Sequence, residues 1–291
     1  MTKIKFISDT ACDISMKEAE KLDITLLNIP INVDGKDYLE GIDFTNEEFY
    51  DLLKKANRIP VTAHILSIHF AEAYFDAYNN GYSDAIVVTI NSKASAICDA
   101  AAMAKKAFFE EHPEATDFNI HLVDSLTYTS GYGYPIREAV KKAEKNVPIP
   151  EILDYLDDWF RSVEIYFAPY SLEFVKKSGR VNSTAAFVGE LVGLRPIVQM
   201  VDGENVVIQK VRGDKSIIPT LVDYVKDRAV PGTPYLIVYG EVLEYAEELE
   251  QALTKEKGYS PEMSSSVGPC IAINAGPKIV GVIFKGKRRR D

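Results

Sequence analysis

Residues 85–109 read AIVVTINSKASAICDAAAMAKKAFF and place an apolar run, a polar turn and a helix-forming stretch in direct succession. The apolar run 85–90 is typical of a strand covered on both faces, and the alanine-rich stretch 96–109 favours a helix. Open α/β sheets bind ligands at the carboxyl ends of their parallel strands. The sequence therefore predicts an α/β domain in which the turn 91–95 lies at a ligand-binding edge.

The turn itself is Asn91-Ser92-Lys93-Ala94-Ser95. Backbone N–H groups at the start of a helix, together with the hydroxyls of Ser92 and Ser95, favour a carboxylate or phosphate. Serine is also among the commonest helix N-caps, so a cap without a ligand is the competing interpretation. The turn alone leaves both open.

Two other predicted strands also end in polar residues. The strand at 4–7 ends at Ser8-Asp9-Thr10, and the strand at 121–123 ends at Asp124-Ser125. Together with the turn after residue 90, they predict one polar rim at the carboxyl edge of a parallel sheet. For Asp9 and Asp124 we consider two roles, binding of Mg²⁺ or hydrogen-bonded orientation of the loops.

The pattern changes near residue 160. Before it, strands alternate with helices, apart from one extended segment at 24–33 and a hairpin turn at Asp34-Gly35; after it, a hairpin at 196–210 turns at Asp202-Gly203. We predict a two-domain protein. Residues 1–160 form a parallel-sheet α/β domain, and residues 161–291 form an α+β domain with a mixed, partly antiparallel sheet.

Composition excludes several classes of function. The 291 residues carry 33 Lys and Arg against 43 Asp and Glu, a net charge of -10, which argues against nucleic acid as a partner. Three widely spaced cysteines and four histidines show no metal-binding spacing, so no metal or cofactor is predicted. Without a signal peptide or a long apolar run, we expect a cytoplasmic protein with no stable membrane insertion, and a solvated basic end at 285–290.

Catalytic motifs are absent from the sequence. There is no GxSxG elbow, no GxGxxG after a strand and no Walker loop. No motif therefore indicates a catalytic site, and the turn 91–95 can hold an anion without catalysis. The alternative is a small hydrolase or transferase that uses Ser95, helped by Asp9 or Asp124.

Three further segments are candidates for ligand contacts. Arg180 follows Gly179 at a helix end, where its guanidinium can reach a carboxylate or can simply be solvated. The Gly-Pro pairs at 268–269 and 276–277 predict a tight loop that presents its N–H groups and Asn274. His64 follows Thr62 by two residues in an extended stretch, which places it near the predicted rim.

The chain resembles the DegV family of bacterial fatty-acid-binding proteins over essentially its whole length. The matching elements occur in the family's order. They are Ser8-Asp9-Thr10 with Asp13 (TDS...D), Thr62 (the Thr of TSQPS), the turn 91–95 (SSxLSGT), Asp124-Ser125 with Ser130-Gly131 (DS...S.G), Ser178 to Val181 (GGRI), 193–196, Asp202-Gly203, and 268–277 (GPxxGTHTGPG).

The resemblance implies a protein that buries an acyl chain in an apolar tunnel, with the ligand between its two domains. Ser and Thr hydroxyls hold the carboxylate, and a partner kinase phosphorylates the bound acid. Carried over by position, Thr62 and Ser95 are the carboxylate donors, Ser92 lies nearby and Arg180 lies at the mouth. A carrier of another apolar carboxylic acid is a further alternative.

Departures from the family motifs qualify these expectations. Asn274 stands where the family has His, and an amide cannot become cationic. Thr62 is followed by Ala63-His64 instead of Ser-Gln, so we expect His64 to replace lost polar contacts. Ser95 is followed by Ala96-Ile97 instead of Gly-Thr. We expect fatty-acid binding to be retained and coupling to the kinase to be altered.

Overall fold

The computed structural model describes residues 3–170, 173–182 and 193–287. These residues form two compact units. The first comprises residues 3–45 and 56–157, and the second comprises residues 46–55 and the described residues from Asp158 onward. Half of the predicted basic end, residues 288–290, lies outside the described residues. Within the described chain, no helix combines the length and the apolar character needed to cross a membrane.

The strands are β1 (Ile4–Asp9), β2 (Ile24–Leu27), β3 (Pro30–Val33), β4 (Lys36–Leu39), β5 (Val61–Thr62), β6 (Asp84–Thr89), β7 (Asn119–Asp124), β8 (Val163–Pro169), β9 (Val181–Asn182), β10 (Leu194–Val201), β11 (Glu204–Arg212), β12 (Tyr235–Tyr239), β13 (Met263–Ser266) and β14 (Ile279–Lys285). The helices are α1 (Met16–Lys21), α2 (Asn46–Lys55), α3 (Ser67–Asn79), α4 (Ile97–Glu111), α5 (Ser130–Glu144), α6 (Ile149–Ser162), α7 (Glu173–Ser178), α8 (Ile217–Arg228), α9 (Leu243–Lys257) and α10 (Pro269–Ala275).

The first unit contains a parallel sheet with the strand order β2-β1-β6-β7. The chain runs from β1 to β2 on one side and later returns to add β6 on the other, so the strand order reverses between β1 and β6. All six residues of β6 are buried, as expected of a strand covered on both faces. The predicted parallel α/β architecture is confirmed, with its reversal point beside the turn 91–95.

A small antiparallel sheet of order β4-β3-β5 also belongs to this unit. The prediction of one extended segment at 24–33 was wrong, because β2 pairs with β1 whereas β3 pairs with β4 and β5. Between them, the backbone N–H of Ile29 donates to Thr10 Oγ1 (3.1 Å) instead of continuing a ladder. The predicted turn at Asp34-Gly35 is present, with positive φ at both residues.

The second unit is built on a seven-stranded mixed sheet of order β13-β12-β14-β8-β10-β11-β9. The β12–β13 and β11–β9 pairs are parallel and the others are antiparallel, which confirms the predicted mixed sheet. Helices α8 and α9 pack together over a core that includes Ile197, Leu221, Leu249 and Val282. Helix α2 belongs to this unit, where the Tyr50 hydroxyl donates to the Val267 carbonyl (2.8 Å).

Two helices differ from the sequence expectations. Helix α5, which was not predicted, contains Gly131 and Gly133, and each glycine disfavours a helix by about 1 kcal/mol relative to alanine. Gly133 is needed there because a Cβ would lie 2.0 Å from the Cys12 carbonyl oxygen. The prediction of a tight loop at 268–277 was also wrong. Pro269 begins helix α10, since its fixed φ suits a first turn, and Gly276 (φ 95°) ends it.

Candidate functional site

The carboxyl edge of the parallel sheet is organised around Asp9. Its side chain is fully buried. Asp9 Oδ2 accepts a hydrogen bond from the backbone N–H of Ile90 (2.8 Å), and Oδ1 accepts from the Tyr132 hydroxyl (2.6 Å) and the backbone N–H of Ala11 (3.2 Å). One carboxyl group therefore ties the end of β1 to the end of β6 and to the first turn of α5.

Burial raises the pKa of Asp9 from 3.8 to about 6. The hydrogen bonds from Tyr132, Ile90 and Ala11 lower it, but they only partly offset the cost of removing a charge from water. The donors around Asp9 are neutral, and no cation is among its hydrogen-bond partners in the described chain. Asp9 is thus a buried acid that titrates close to the physiological range.

The turn 91–95 is held from the other side by the segment after β7. The backbone N–H of Asn91 donates to the Thr127 carbonyl (3.2 Å), and its side-chain amide donates to the Tyr128 hydroxyl (2.8 Å). The backbone N–H of Ser92 donates to Asp124 Oδ1 (3.1 Å). Hydrogen bonds therefore join all three predicted polar strand ends into one rim, and both Asp9 and Asp124 orient loops there.

The two serines of the turn differ in exposure. Ser92 is exposed, and Ser95 is half-buried with its Oγ 3.4 Å from the backbone N–H of Ile97. That distance exceeds the usual range for an N–H···O bond, so the contact is weak. Because Ser95 Oγ only accepts in this contact, its hydroxyl proton remains able to donate. Helix α4 has Ala96 as its N-cap and no side-chain cap, so the interpretation of Ser95 as the cap is wrong and its hydroxyl is a donor for a ligand.

Thr62 and His64 lie on and just after β5 in the small antiparallel sheet. The backbone of Thr62 pairs with Ile31, its side chain is half-buried, and His64 is exposed. In the described part of the chain, no hydrogen bond joins either residue to Ser92 or Ser95. Their role in binding a head group stays a prediction from the family resemblance.

Arg180 and Asn274 belong to the second unit, and each contacts its own segment. The Arg180 guanidinium donates to the Ser178 carbonyl, and its backbone carbonyl accepts from Asn205 Nδ2 (3.1 Å). Asn274 is half-buried in α10, where Nδ2 donates to the Cys270 carbonyl one turn earlier (2.7 Å). The expectation that a loop presents Asn274 is corrected: the residue lies in a helix, and its amide donates one hydrogen bond within that helix.

The geometry gives the hydrolase alternative little support. Within the described residues, Ser95 has no hydrogen bond to Asp9, Asp124 or a histidine. Asp124 Oδ1 instead accepts from Ser92 N–H and from Leu126 N–H (3.0 Å). Among the described residues, no three or more His, Cys, Asp or Glu side chains are placed to hold a metal ion.

Comparison with known families identifies the chain. A family model described as "Uncharacterised protein, DegV family" matches residues 3–287. The chain belongs to the DegV family. The family resemblance seen in the ordered motifs is thereby confirmed, and it extends over both units.

Relatives of this DegV chain cover it almost completely. A DegV domain-containing protein of Caldanaerobacter subterraneus is 28% identical, over 99% of this chain and 100% of the relative. A Thermotoga maritima relative, 27% identical over 96% of each chain, is named a fatty acid-binding protein. The crystal structure of a stearic acid-binding protein from Eubacterium ventriosum superposes with a TM-score of 0.84, at 25% identity and 98% coverage of each chain.

Several residues that build the rim were missed by sequence reasoning. Tyr132 lies 123 residues from Asp9, and Thr127 and Tyr128 lie more than 35 residues from Asn91. These residues become hydrogen-bond partners of Asp9 and Asn91 only when the fold brings the ends of the strands together. The signal available in the sequence was the polar cluster at 124–130, which follows directly on a strand.

Proposed function

We propose that this DegV protein is a non-catalytic carrier that binds a long-chain fatty acid and holds its carboxylate by Ser and Thr hydroxyls. The observation that carries the proposal is the placement of the Ser92 and Ser95 hydroxyls at the reversal point of the parallel sheet. Open α/β sheets bind ligands at this point. The name of the Thermotoga maritima relative supports the choice of ligand.

The acyl chain and the carboxylate head group of the ligand contribute differently to the free energy of binding. Burial of a long acyl chain contributes roughly 0.8 kcal/mol per methylene, on the order of 10 kcal/mol in all. A hydrogen bond to the charged head adds about 1.5–3 kcal/mol. The acyl chain therefore supplies most of the affinity, and the hydroxyls supply orientation and selectivity for an acid.

Thr62 and Ser95 are the proposed carboxylate donors, with Ser92 beside them. We include Arg180, His64 and Asn274 as further contacts, carried over from the family motifs. The bound acid would then be presented to a fatty acid kinase. A protonated histidine can offer a phosphate a cationic contact. Asn274 is neutral and its amide donates a hydrogen bond to the Cys270 carbonyl, so we expect that this contact is missing here.

Mass spectrometry of the purified protein tests the ligand. Organic extraction should release a long-chain acid, and delipidated protein should take up added stearic acid. Repeated preparations that contain no acyl acid and cannot be loaded would refute the carrier proposal.

A double variant tests the head-group donors. Thr62→Ala with Ser95→Ala should weaken stearic acid binding about 100-fold, since two hydrogen bonds to a charged group are lost. The matched control is Thr116→Ala with Ser260→Ala, which removes two exposed hydroxyls, the first of them next to the opposite end of β7. Equal affinities of the wild type and the Thr62/Ser95 variant would remove those residues from the site.

A further inference from the structure

Asp124 is the last residue of β7, and one of its oxygens connects two turns. Asp124 Oδ1 accepts from the backbone N–H of Ser92 (3.1 Å) and from the backbone N–H of Leu126 (3.0 Å). The backbone of the same strand end stays in register with β6, with Thr89 opposite Asp124 and Ser125 N–H donating to the Thr89 carbonyl (3.2 Å). The oxygen is therefore fixed by a strand while it holds the hydroxyl-bearing turn.

The segment that follows Asp124 is buried and has an unusual backbone. Leu126 has φ 50°, and Thr129 has φ 52° with ψ -143°, a conformation that is almost restricted to glycine. Ser125, Thr127, Thr129 and Ser130 are nevertheless at most 4% exposed. Such strained residues persist only where the surrounding structure holds them, and they concentrate at functional sites.

This segment presents acceptors to the turn in a row. Asp124 Oδ1 accepts a hydrogen bond from the backbone N–H of Ser92, and the Thr127 carbonyl accepts one from the backbone N–H of Asn91. The Tyr128 hydroxyl accepts one from the side-chain amide of Asn91. The three contacts fix the first two residues of the turn, so they also limit where the following residues up to Ser95 can lie. The turn is held by the strained segment on one side and by Asp9, through Ile90, on the other.

A carboxylate at this place is unsuited to bind a fatty acid directly. Two anionic groups repel each other, and an ionised Asp has no proton to donate. Asp124 contacts the turn through the backbone N–H of Ser92 and not through the hydroxyl of Ser92 or Ser95. Any effect of Asp124 on an acid ligand is therefore indirect.

We infer that Asp124 is a positioning residue: by accepting the N–H of Ser92, it sets the backbone of the turn 91–95 so that the hydroxyls of Ser92 and Ser95 face the carboxylate. This inference rests on the proposed function. It assigns selectivity for an acid head group to a residue that does not touch the ligand, and it requires an acceptor oxygen at the position of Oδ1, not a negative charge.

The test compares stearic acid with stearyl alcohol, which has the same chain and a neutral head. Asp124→Ala should weaken binding of the acid about tenfold and change binding of the alcohol less than twofold. Asp124→Asn should keep the acid-to-alcohol preference, because its amide oxygen can accept the same two N–H groups. Asp117→Ala is the matched control, since it removes an exposed carboxylate before the opposite end of β7.

The outcomes separate the inference from the proposed function. If the wild type binds no stearic acid, the proposed function fails. If the wild type binds it and Asp124→Ala keeps the acid-to-alcohol ratio, or weakens both ligands equally, the positioning role is wrong. Equal loss of the ratio in the Ala and Asn variants would show that an acceptor oxygen at this position does not set the preference, and would also overturn it.

Asp124→Glu keeps the inference testable if Asp124→Ala does not fold. It retains the charge and moves the acceptor by one methylene, so we expect it to lose the acid preference while Asp124→Asn retains it. The reverse result would contradict a role for the acceptor position. Circular dichroism and the unfolding midpoint of each variant establish that the folded proteins are compared.

Discussion

Two buried carboxylates, one in each unit, are satisfied in different ways. Asp9 in the first unit accepts from a tyrosine hydroxyl and two backbone N–H groups. Glu164 in the second unit accepts from both Nε and Nη2 of Arg228 (2.6 and 2.9 Å) and from the Tyr166 hydroxyl (2.8 Å). The hydrogen bonds to Glu164 raise the pKa of Arg228, so the guanidinium stays charged.

The difference shows what each carboxylate does. Glu164 at the start of β8 connects the sheet to the last residue of α8 through a fixed ion pair. Asp9 has no such counter-charge and burial raises its pKa to about 6, and its partners connect the segments around the hydroxyl turn. The ion pair connects a strand and a helix of the second unit, whereas the network around Asp9, whose donors are uncharged, shapes the rim at which we propose binding.

The largest expected effect is at the glycine beside the Asp9 network. In Gly133→Ala the new Cβ would meet the Cys12 carbonyl oxygen at 2.0 Å, and backbone cannot rotate away. We expect a loss of about 3 kcal/mol in the free energy of unfolding, measured by urea denaturation. In the matching Gly286→Ala, the new Cβ would meet Glu164 Oε1 at 2.2 Å, and this side chain can rotate away only by breaking its hydrogen bonds to Arg228, so we expect a smaller loss than for a clash with backbone. A larger loss for Gly286→Ala would contradict this ranking.

The second prediction uses the raised pKa of Asp9. Between pH 4 and pH 6 the folded protein retains a proton on Asp9 that the unfolded chain has released, so this group's contribution to stability falls as pH rises. From pH 3 to pH 7 the wild type should lose about 3 kcal/mol relative to Asp9→Asn. Parallel stability curves for the two proteins would show that Asp9 has an ordinary pKa.

Tyr132→Phe provides the matched control for that titration. Removal of the hydroxyl deletes a hydrogen bond that lowers the pKa of Asp9. The pH window over which stability falls should therefore move upward in this variant. A window that moved downward would mean that the Tyr132 hydroxyl does not stabilise the ionised form.

The smallest expected effect comes from breaking the ion pair. Arg228→Met leaves Glu164 buried without its cation, and such a loss costs about 3–5 kcal/mol for a fully buried pair. Because the Arg228 side chain is 38% exposed, solvent screening reduces our expectation to about 2 kcal/mol. The control is Lys226→Met on the same helix, whose exposed pair with Glu256 should contribute less than about 1 kcal/mol. Equal effects of the two changes would remove the distinction between the carboxylates.

Local patterns in the sequence determined much of the fold. The apolar run of β6, the helix Ser67–Asn79 and the turns at Asp34-Gly35 and Asp202-Gly203 follow from residues that are neighbours in the chain. The polar ends of β1, β6 and β7 also predicted the rim, because parallel strands bring their carboxyl ends to one edge. The family could also be identified from the sequence, because each of its motifs is a short run of neighbouring residues.

Only the tertiary structure decided the features that depend on distant partners. Helix α5 forms despite two glycines because Gly133 packs on the Cys12 backbone, and residues 24–33 divide between two sheets because β2 and β3 pair with different strands. Asp9 meets Ile90 and Tyr132 across separations of 81 and 123 residues. Sequence patterns report local preferences. The pKa of Asp9 and the hydrogen bond from the Ser92 N–H to Asp124 depend instead on burial and on contacts between segments that are remote in the chain.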